Sequence, residues 1–393
     1  MKVAIIIERA NIALGGAERS VFELAAALAK IGLDIHILAA KGQTKEKNIH
    51  ILCNDAPGKR TGYFTFKNAL KNHLTHHRYD VVHSVLPFRF AHVYQPRGGS
   101  YPESILRNAA SYQNKYLTAY KRLTAFANFR RTVRLLAERR LCKNSPGPIV
   151  AAISDYVAQQ FETHYRLDES RLTVIPNGVK TDRPIDAEKA QKLRTQILEQ
   201  LHLDDADGPL FLLFVANNFR LKGLAPLIIA MSRSIADNPH SPAHLLVAGS
   251  DRTQKYRRLA RQVALEKRIL FLGPVRNIQN ALSIIDVAVL PTFYDPSSRF
   301  TLEALAAGKP VITTRFNGAA DLFVNDRHGK VIDTPQDTPS LANAISYFSD
   351  KDNIQKASAA IIEDGLKQKV SITRAAEQLH DLYEQILRER STK

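Results

Sequence analysis

YDPSSRFTLEALAAGKPVI, residues 294–312, joins one short apolar strand to the next through a loop and a helix. The first strand ends at Leu290, the loop carries Asp295, and the hydroxyl of Ser298 suits the cap of a helix start. A strand, a loop, a helix and a second strand in this order form the repeating unit of a parallel sheet covered by helices. This stretch therefore predicts an α/β fold.

The same stretch has the chemistry of a ligand site. Ligands of open α/β sheets bind where strands end and helices begin, and the positive end of a helix attracts phosphate. Glu303 lies one turn into the helix, eight residues after Asp295, so one carboxylate is available for sugar hydroxyls and the other for a ribose. The alternative is an ordinary capped helix with a solvated acid at each end.

The rest of the chain repeats the alternation of strands and helices. It begins with strand Val3–Ile7, helix Ala17–Lys30 and strand Asp34–Ala39. Further apolar runs predict strands at Tyr79–His83, Pro148–Ile153, Leu210–Ala216, His244–Ala248, Ile269–Leu272, Val287–Leu290 and Pro310–Thr313. Helical patterns lie between them at Gly223–Ala236, Gln254–Leu265 and Arg299–Ala307. The predicted architecture is two Rossmann-like, doubly wound domains.

A polar, charged stretch that runs to Gly208-Pro209 separates the two halves. We therefore assign residues 1–180 to a first domain, 181–208 to the interdomain connection, 209–370 to a second domain and 371–393 to a C-terminal helix. This last helix is a candidate to return to the first domain.

The composition is that of an ordinary globular protein with an excess of positive charge. The chain has 393 residues, 45% of them apolar, which excludes a single small module and a disordered chain. Its 55 Lys and Arg against 38 Asp and Glu leave a net charge of +17, which favours nucleic acid, a lipid surface or a phosphorylated small molecule as partner. Two cysteines, Cys53 and Cys142, are too few for a disulfide framework or a cysteine-rich zinc site.

No segment has the pattern of a targeting or membrane-spanning sequence. The N-terminus offers an apolar run of only five residues, Val3–Ile7, which is shorter than a signal peptide needs. No stretch reaches the roughly 20 consecutive apolar residues that span a bilayer. We therefore expect a cytoplasmic protein.

Residues 294–312 also resemble the signature of the retaining GT-B glycosyltransferases, enzymes that use sugar nucleotides. That signature is an acid, seven residues, a glutamate, small residues and Gly-x-Pro, and it matches Asp295, Glu303 and Gly308-Lys309-Pro310, with Asp in place of the usual Glu. Three more segments resemble the family in chain order, namely Gly15–Arg19, Ile175–Val179 and Asn217–Gly223. The resemblance covers nearly the whole chain and implies a GT-B fold, with two domains that face each other across a cleft.

The resemblance implies a role for each matched residue. The predicted catalytic residues are Lys222, Asp295 and Arg220, with Asp295 on the donor sugar and the two bases on the diphosphate. The predicted donor-binding residues are Gly15, Gly16, Arg220, Lys222, Asp295, Ser298, Arg299, Phe300, Thr301 and Glu303, the last on the ribose. The predicted acceptor-binding residues are Arg19, Arg97 and Arg183. Arg97 stands beside Gly98-Gly99, where related enzymes often carry a His or an Asp.

Within the family, the group most similar in appearance is that of the lipopolysaccharide-core glucosyltransferases that act on heptose. The resemblance implies transfer of glucose from UDP-glucose to a lipopolysaccharide core or another glycolipid, with retention of configuration and without metal or cofactor. A sugar-nucleotide epimerase of the same fold and a glycosyltransferase that makes another polysaccharide stay open. No nucleic-acid-binding motif is present. The 13 histidines have no paired metal-ligand spacing, and the acid pair of Asp205-Ala206-Asp207 is typical of a solvated turn.

Residues 107–143 are strongly basic, with ten Lys or Arg and a single acid, Glu138. Apolar side chains recur through this segment every three or four positions, at Tyr112, Tyr116, Tyr120, Leu123, Phe126, Phe129, Val133 and Leu136. One interpretation packs this stripe of two helices into the first domain. The other places it on anionic lipid or a phosphorylated lipid acceptor, as a peripheral contact on the cytoplasmic face of the inner membrane.

Overall fold

A computed structural model describes residues 1–11, 16–44, 46–53 and 61–391. These residues form two compact units, each with one parallel sheet flanked by helices. The first unit contains the residues up to Ala109, Lys115–Val179 and the residues from Ile372 onward. The second unit contains Ala110–Asn114 and Lys180–Ser371.

The first unit is built on a seven-stranded sheet of order β3-β2-β1-β4-β5-β6-β7. Its strands are β1 (Lys2–Ala10), β2 (Asp34–Gly42), β3 (Ile49–Ile51), β4 (Val81–Ser84), β5 (Val93–Tyr94), β6 (Ile149–Ala152) and β7 (Leu172–Val174). Its helices are α1 (Gly16–Lys30), α2 (Tyr63–His76), α3 (Tyr101–Ala110), α4 (Lys115–Leu123), α5 (Phe129–Lys143) and α6 (Asp155–Tyr165). Residues 3–7 of the central β1 are at most 2% exposed, because a parallel sheet is covered on both faces.

The second unit is built on a six-stranded sheet of order β10-β9-β8-β11-β12-β13. Its strands are β8 (Leu210–Val215), β9 (Ala243–Ala248), β10 (Ile269–Gly273), β11 (Val287–Leu290), β12 (Val311–Thr314) and β13 (Gly329–Ile332). Its helices are α7 (Ala187–Leu201), α8 (Leu224–Asp237), α9 (Gln254–Gln262), α10 (Ile278–Ser283), α11 (Arg299–Ala306), α12 (Thr338–Tyr347), α13 (Lys351–Glu363) and α14 (Leu366–Lys369).

Both sheets have a doubly wound strand order. In each, the chain starts at a central strand, adds two strands on one side and then crosses to the other side to continue. Every strand pair is parallel, since each strand is followed by a crossover. The predicted α/β class with two Rossmann-like units is confirmed.

The last helix, α15 (Ile372–Ser391), packs into the core of the first unit. The backbone N–H of Ile372 donates to the carbonyl of Val179 at 2.9 Å, and Leu379 and Tyr383 are fully buried in the core around β1 and α1. The first unit is therefore completed by the end of the chain.

Residues 181–208, expected as a connection, contain the 15-residue helix α7 of the second unit. The helix is not evident from the sequence because it buries only a narrow face, made by Ala190, Ile197 and Leu201, and most of its other residues are polar. Three strands of two or three residues, β3, β5 and β7, also have no counterpart in the sequence prediction. Such strands are too short to show a hydrophobic period.

Candidate functional site

The second sheet changes winding direction between β8 and β11. Strands β9 and β10 lie on one side of this pair, and β12 and β13 lie on the other. Two loops that leave the carboxyl ends of adjacent strands at such a switch point form a crevice where α/β proteins bind ligands. Here these loops are residues 216–223 after β8 and residues 291–298 after β11.

The loop after β8 is a tight turn that runs close against the loop after β11. The side chain of Asn218 accepts from the Leu221 N–H at 3.1 Å, and its carbonyl accepts from the Lys222 N–H at 3.0 Å. Gly223 has φ +82°, and a Cβ there would lie 1.9 Å from the carbonyl oxygen of Pro291. Only glycine permits this approach, which brings Lys222 to the neighbouring loop.

Lys222 forms an ion pair with Asp295. Its Nζ donates to Oδ2 of Asp295 at 2.6 Å and to the carbonyl of Tyr294 at 2.9 Å. The two side chains are only 20% and 16% exposed, so solvent screens the pair weakly. The structure therefore brings together two of the three predicted catalytic residues.

The backbone around Asp295 is fixed by the segment after β12. The N–H of Asp295 donates to the carbonyl of Phe316 at 2.8 Å, and its own carbonyl accepts from Gly318 at 2.9 Å. Its second carboxylate oxygen accepts from the N–H of Ser297 at 3.3 Å. The carboxylate is thus held from both sides before any ligand arrives.

Helix α11 begins beside this carboxylate with an N-cap. Oγ of Ser298 accepts from the N–H of Thr301 at 3.3 Å, as the sequence predicts. The side chains of Phe300 and Thr301 are buried and the Thr301 N–H is already bound by the cap, so the Phe300 N–H and the positive end of the helix are what remains for an anion. Of the predicted donor residues, Phe300 can contact a donor through its backbone N–H, whereas Thr301 is engaged by Ser298 and Asn317.

Asn317 is a site residue that the sequence prediction missed. It is fully buried, its Oδ1 accepts from the N–H of Ser298 at 3.1 Å, and its Nδ2 donates to Oγ1 of Thr301 at 3.0 Å. It therefore joins the start of α11 to the end of β12. The signal available in the sequence was the Asn317-Gly318 pair, a turn dipeptide three residues after the strand end at Thr314.

Ser297 presents a buried hydroxyl with no partner. The residue is 8% exposed, and its Oγ has no hydrogen bond within the described residues. Buried polar atoms in native proteins are nearly always paired. An unpaired hydroxyl beside Asp295 and the start of α11 is consistent with a contact reserved for a ligand.

Glu303 lies one turn into α11 and pairs with Arg299. The Arg299 Nη2 donates to Oε1 of Glu303 at 3.1 Å, and the two side chains are 13% and 9% exposed. Each carboxylate of the predicted pair, Asp295 and Glu303, is thus held next to a cation of its own.

Arg220 makes its contacts with residues 110–114, which belong to the second unit. Its guanidinium lies 3.9 Å from the ring centroid of Tyr112 and donates to the hydroxyl of Ser111. Tyr112, which the sequence analysis placed in the apolar stripe, instead serves as a platform for this arginine.

The other predicted residues are distributed over both units. Gly15 lies outside the described residues, and Gly16 starts α1. Arg19 donates to Glu23 at 3.2 Å, and Arg97 donates to the side chains of Ser20 and Asn177 at 2.6 and 3.1 Å. Gly16, Arg19 and Arg97 thus belong to the first unit, whereas Arg183 belongs to the second.

The acid pair Asp205-Ala206-Asp207 forms a short 3₁₀ turn, in which Asp205 accepts from Arg194 at 2.5 Å. Among the described residues, no three His, Cys, Asp or Glu side chains come together in a way that could hold a metal ion.

The apolar residues of the basic segment are largely exposed in α4 and α5. We define the exposed stripe as Tyr116, Tyr120, Leu123, Phe129 and Leu136, whose exposed fractions run from 43% to 89%. The side chain of Phe126 lies outside the described part. Helix α5 itself is tied to the first unit, because Arg134 donates to Glu8 of β1 at 2.6 Å. No helix within the described ranges is long and apolar enough to span a membrane.

Two family models match the chain, one on each half. The model "Glycosyltransferase Family 4" matches residues 14–183, and the model "Glycosyl transferases group 1" matches residues 201–368. The second match contains the loops of Lys222 and Asp295.

Known proteins are similar to this chain in sequence over part of their length, and solved structures are similar to it in fold. The lipopolysaccharide glucosyltransferase WaaG of Escherichia coli is 23% identical over 283 residues, which cover 71% of this chain and 69% of that protein. A putative glycosyltransferase of Bacillus subtilis, YtcC, is 26% identical over 61% of this chain and 60% of its own length. The crystal structure of WaaG superposes with a TM-score of 0.75 at 20% identity, over 97% of this chain and 99% of that one. The crystal structure of Anabaena HepE with UDP-glucose superposes with a TM-score of 0.70 at 16% identity, over 98% of this chain and 100% of that one. At these identities, both similarities concern the fold alone.

Proposed function

We propose, from the premise that the chain belongs to the glycosyltransferases of the GT-B fold, that it transfers glucose from UDP-glucose to a lipopolysaccharide core or another glycolipid. The anomeric configuration of the donor is retained. Neither a metal ion nor a cofactor takes part. The similarity to WaaG, a lipopolysaccharide glucosyltransferase, and to HepE, whose structure contains UDP-glucose, supports this donor and this class of acceptor.

The observation that carries the proposal is the Lys222–Asp295 pair at the switch point of the second sheet. Transfer of a glycosyl group from a nucleotide sugar leaves a diphosphate with growing negative charge. An ammonium held at a fixed point, together with the N-terminus of α11, stabilises that charge without reorganising during the reaction. These groups take the place of a divalent ion.

The acids of the site bind the sugars on either side of the diphosphate. Asp295 orients the donor sugar, and Glu303 accepts hydrogen bonds from the ribose. Both carboxylates are mostly buried and each is paired with a neighbouring base, which holds it in position. The unpaired Ser297 hydroxyl adds one more hydrogen-bonding group at this point.

The acceptor is brought from a membrane. The exposed stripe combines large apolar side chains with the bases of α4 and α5, a pattern that favours insertion into the interface of an anionic bilayer. We therefore place the protein at the cytoplasmic face of the inner membrane as a peripheral protein.

The test is substitution of Lys222 and Glu303 by alanine. Each variant should lower the rate of glucose transfer about 100-fold or more, which corresponds to the loss of about 3 kcal/mol of transition-state stabilisation. Lys192→Ala, which changes an exposed lysine of α7 with no ion pair among the described residues, is the matched control and should leave the rate unchanged. Unchanged turnover in Lys222→Ala and Glu303→Ala would remove this site from consideration.

The donor is identified by thermal shift with a panel of nucleotide sugars. A ligand at 100 times its Kd adds about 2.7 kcal/mol to the free energy of unfolding, so the true donor gives the largest rise in Tm. Product analysis with UDP-glucose then separates the reactions. A transferase needs the acceptor, whereas an epimerase consumes the donor without one.

A further inference from the structure

A basic pocket lies in the first unit, between the C-terminal halves of α5 and α6. Its volume is about 470 Å³, within the range of small-molecule sites. Three cationic side chains line it, Arg139 and Lys143 from α5 and Arg166 at the end of α6. Leu135 and Tyr165 contribute apolar surface.

The three cations have no acidic partner among the described residues. Two buried acids near the pocket are engaged elsewhere. Glu138 is fully buried and accepts from the hydroxyls of Tyr94 and Tyr165 at 2.7 and 2.5 Å. Glu103 pairs with Arg107 at 2.6 Å and with His164 at 2.9 Å. The pocket therefore keeps its positive charge.

The helix ends do not need these cations either. A helix C-terminus leaves carbonyl groups that basic side chains often satisfy. At the end of α5, Arg171 satisfies the free carbonyls, because its guanidinium donates to those of Leu141 and Asn144 at 3.0 and 2.9 Å. At the end of α6 the N–H groups of Arg166 and Leu167 close the last turn. The charges of Arg139, Lys143 and Arg166 remain available to a ligand.

We propose that the basic pocket binds a phosphate monoester. Two guanidinium groups and one ammonium suit a compact dianion with three terminal oxygens, since arginine forks bind phosphate with two parallel hydrogen bonds. A phosphate monoester occurs both on soluble sugar phosphates and on lipid headgroups, and the pocket recognises the chemistry that they share.

The surroundings of the pocket favour a phosphate carried by an amphiphile. Leu136 of the exposed stripe and Lys143 of the pocket are seven residues apart, so they lie on one face of α5, two turns from each other. A molecule with a phosphorylated head and an apolar body can therefore contact the pocket and the stripe together. This identification of the carrier rests on the proposed function, whereas the phosphate chemistry does not.

The experiment compares two triple variants of the full chain. Arg139→Gln/Lys143→Gln/Arg166→Gln removes the cations of the pocket. The control, Lys30→Gln/Lys71→Gln/Arg78→Gln, removes the same charge from exposed sites of the same unit. Calorimetry measures binding of glucose 6-phosphate. Sedimentation measures binding to two kinds of vesicle of equal charge, one with phosphatidic acid, a phosphate monoester, and one with phosphatidylglycerol, a diester. All substituted residues are exposed, so Tm should be unchanged.

Two results support the pocket. Glucose 6-phosphate affinity that falls about tenfold or more in the pocket variant alone identifies a soluble monoester. A loss of the preference for phosphatidic acid over phosphatidylglycerol in the pocket variant alone identifies a lipid headgroup. Parallel behaviour of the two variants in both assays, or no binding of either monoester by the wild type, overturns the proposal. None of these readouts uses glucose transfer, so failure of the pocket and failure of the proposed reaction are told apart.

Discussion

The Lys222 ammonium owes its position to contacts that exist before a ligand binds. Asp295 and the carbonyl of Tyr294 hold its Nζ, and the loop that carries Lys222 is closed by Asn218 and Gly223. A base fixed in this way contributes more to a developing negative charge than a solvated lysine, because no side-chain entropy is lost during the reaction.

Two adjacent serines allow the cap and the ligand contact to be separated. Ser298→Ala removes the N-cap of α11 and should cost about 1 kcal/mol of unfolding free energy. Ser297→Ala removes a buried hydroxyl that has no hydrogen-bond partner among the described residues, so stability should stay the same or rise slightly. It should nevertheless weaken UDP-glucose binding about fivefold to tenfold, the value of one hydrogen bond.

Chemical denaturation measures the first effect and calorimetry the second. The pair serves as its own control, because both changes remove one hydroxyl from consecutive positions. Equal donor affinity in the wild type and Ser297→Ala would show that the hydroxyl makes no contact with the donor.

The sequence predicted the residues of this site better than their partners. Asp295, Ser298 and Glu303 could be read from one stretch because spacing within a loop and a helix determines their positions. Asn317 could not, since its contacts with Ser298 and Thr301 arise only when β12 lies beside β11. Sequence spacing contains no information about such a contact between neighbouring strands.

At the level of elements, α4 and α5 present apolar side chains to solvent although the first unit has a core available. The basic segment thus forms the predicted helices, and the exposed stripe does not pack into the core of the first unit. Exposed apolar surface is typical of interaction sites, and contact of this stripe with lipid stays a prediction.

Serine substitutions test whether the exposed stripe binds lipid. Tyr116→Ser/Leu123→Ser/Phe129→Ser should lower binding to anionic vesicles about tenfold or more, since each side chain loses apolar contact with the bilayer. The matched control is Phe64→Ser/Val324→Ser/Ile362→Ser, which removes three exposed apolar side chains elsewhere.

Sedimentation at two salt concentrations checks this prediction. Wild-type binding should weaken as salt rises, because the bases beside the stripe are attracted to anionic lipid through screened charges. Equal losses in the stripe variant and the control variant would contradict a specific role of α4 and α5.

The contact between β4 and α15 makes the first unit sensitive to acid. Nδ1 of His83 lies 2.5 Å from the hydroxyl of Tyr383, and burial together with Arg97 lowers the pKa of His83 to about 3. The unfolded imidazole takes up a proton near pH 6.5, which the folded one resists. Stability from this group is therefore complete above about pH 6.5 and is lost as the pH falls toward 3.

Other buried groups decide the net slope. Burial also lowers the pKa of His73 and His92 to about 4, with the same sign as His83. Burial raises the pKa of Glu138 to about 7, so the contribution of Glu138 to stability increases as the pH falls from 7 to 4.5. Because the three histidines lose stability on acidification and only Glu138 gains it, we expect Tm to fall from pH 7 to 4.5. Calorimetry at several pH values measures this change. A Tm that rises over this interval would contradict the argument.

At the scale of the whole molecule, the sequence predicted the two sheets but not which residues complete each unit. Continuous apolar strands such as β1 and β8 are visible in the sequence because both of their faces are buried. The path of the last helix is decided by long-range packing of Leu379 and Tyr383 against β1 and α1. An amphipathic pattern alone identifies the buried face of α15 and leaves its partner undefined.

Removal of α15 should therefore unfold the first unit and spare the second. A chain that ends at Ser371 loses five large buried side chains, Ile372, Leu379, Leu382, Tyr383 and Ile386. At about 1.5–3 kcal/mol each, their burial is comparable to the 5–15 kcal/mol that stabilises a typical domain. A chain that ends at Arg388 loses only exposed residues of α15 and is the matched control.

Limited proteolysis and thermal denaturation distinguish these chains. In the shorter chain, protease should digest residues before Val179 while a fragment that contains Lys180–Ser371 persists, because that unit has its own core and sheet. Thermal denaturation should then show one transition, that of the second unit, whereas the control should melt like the wild type. Protection of both units in the shorter chain would mean that β1 and α1 form a stable core without α15, so that the end of the chain is dispensable for folding.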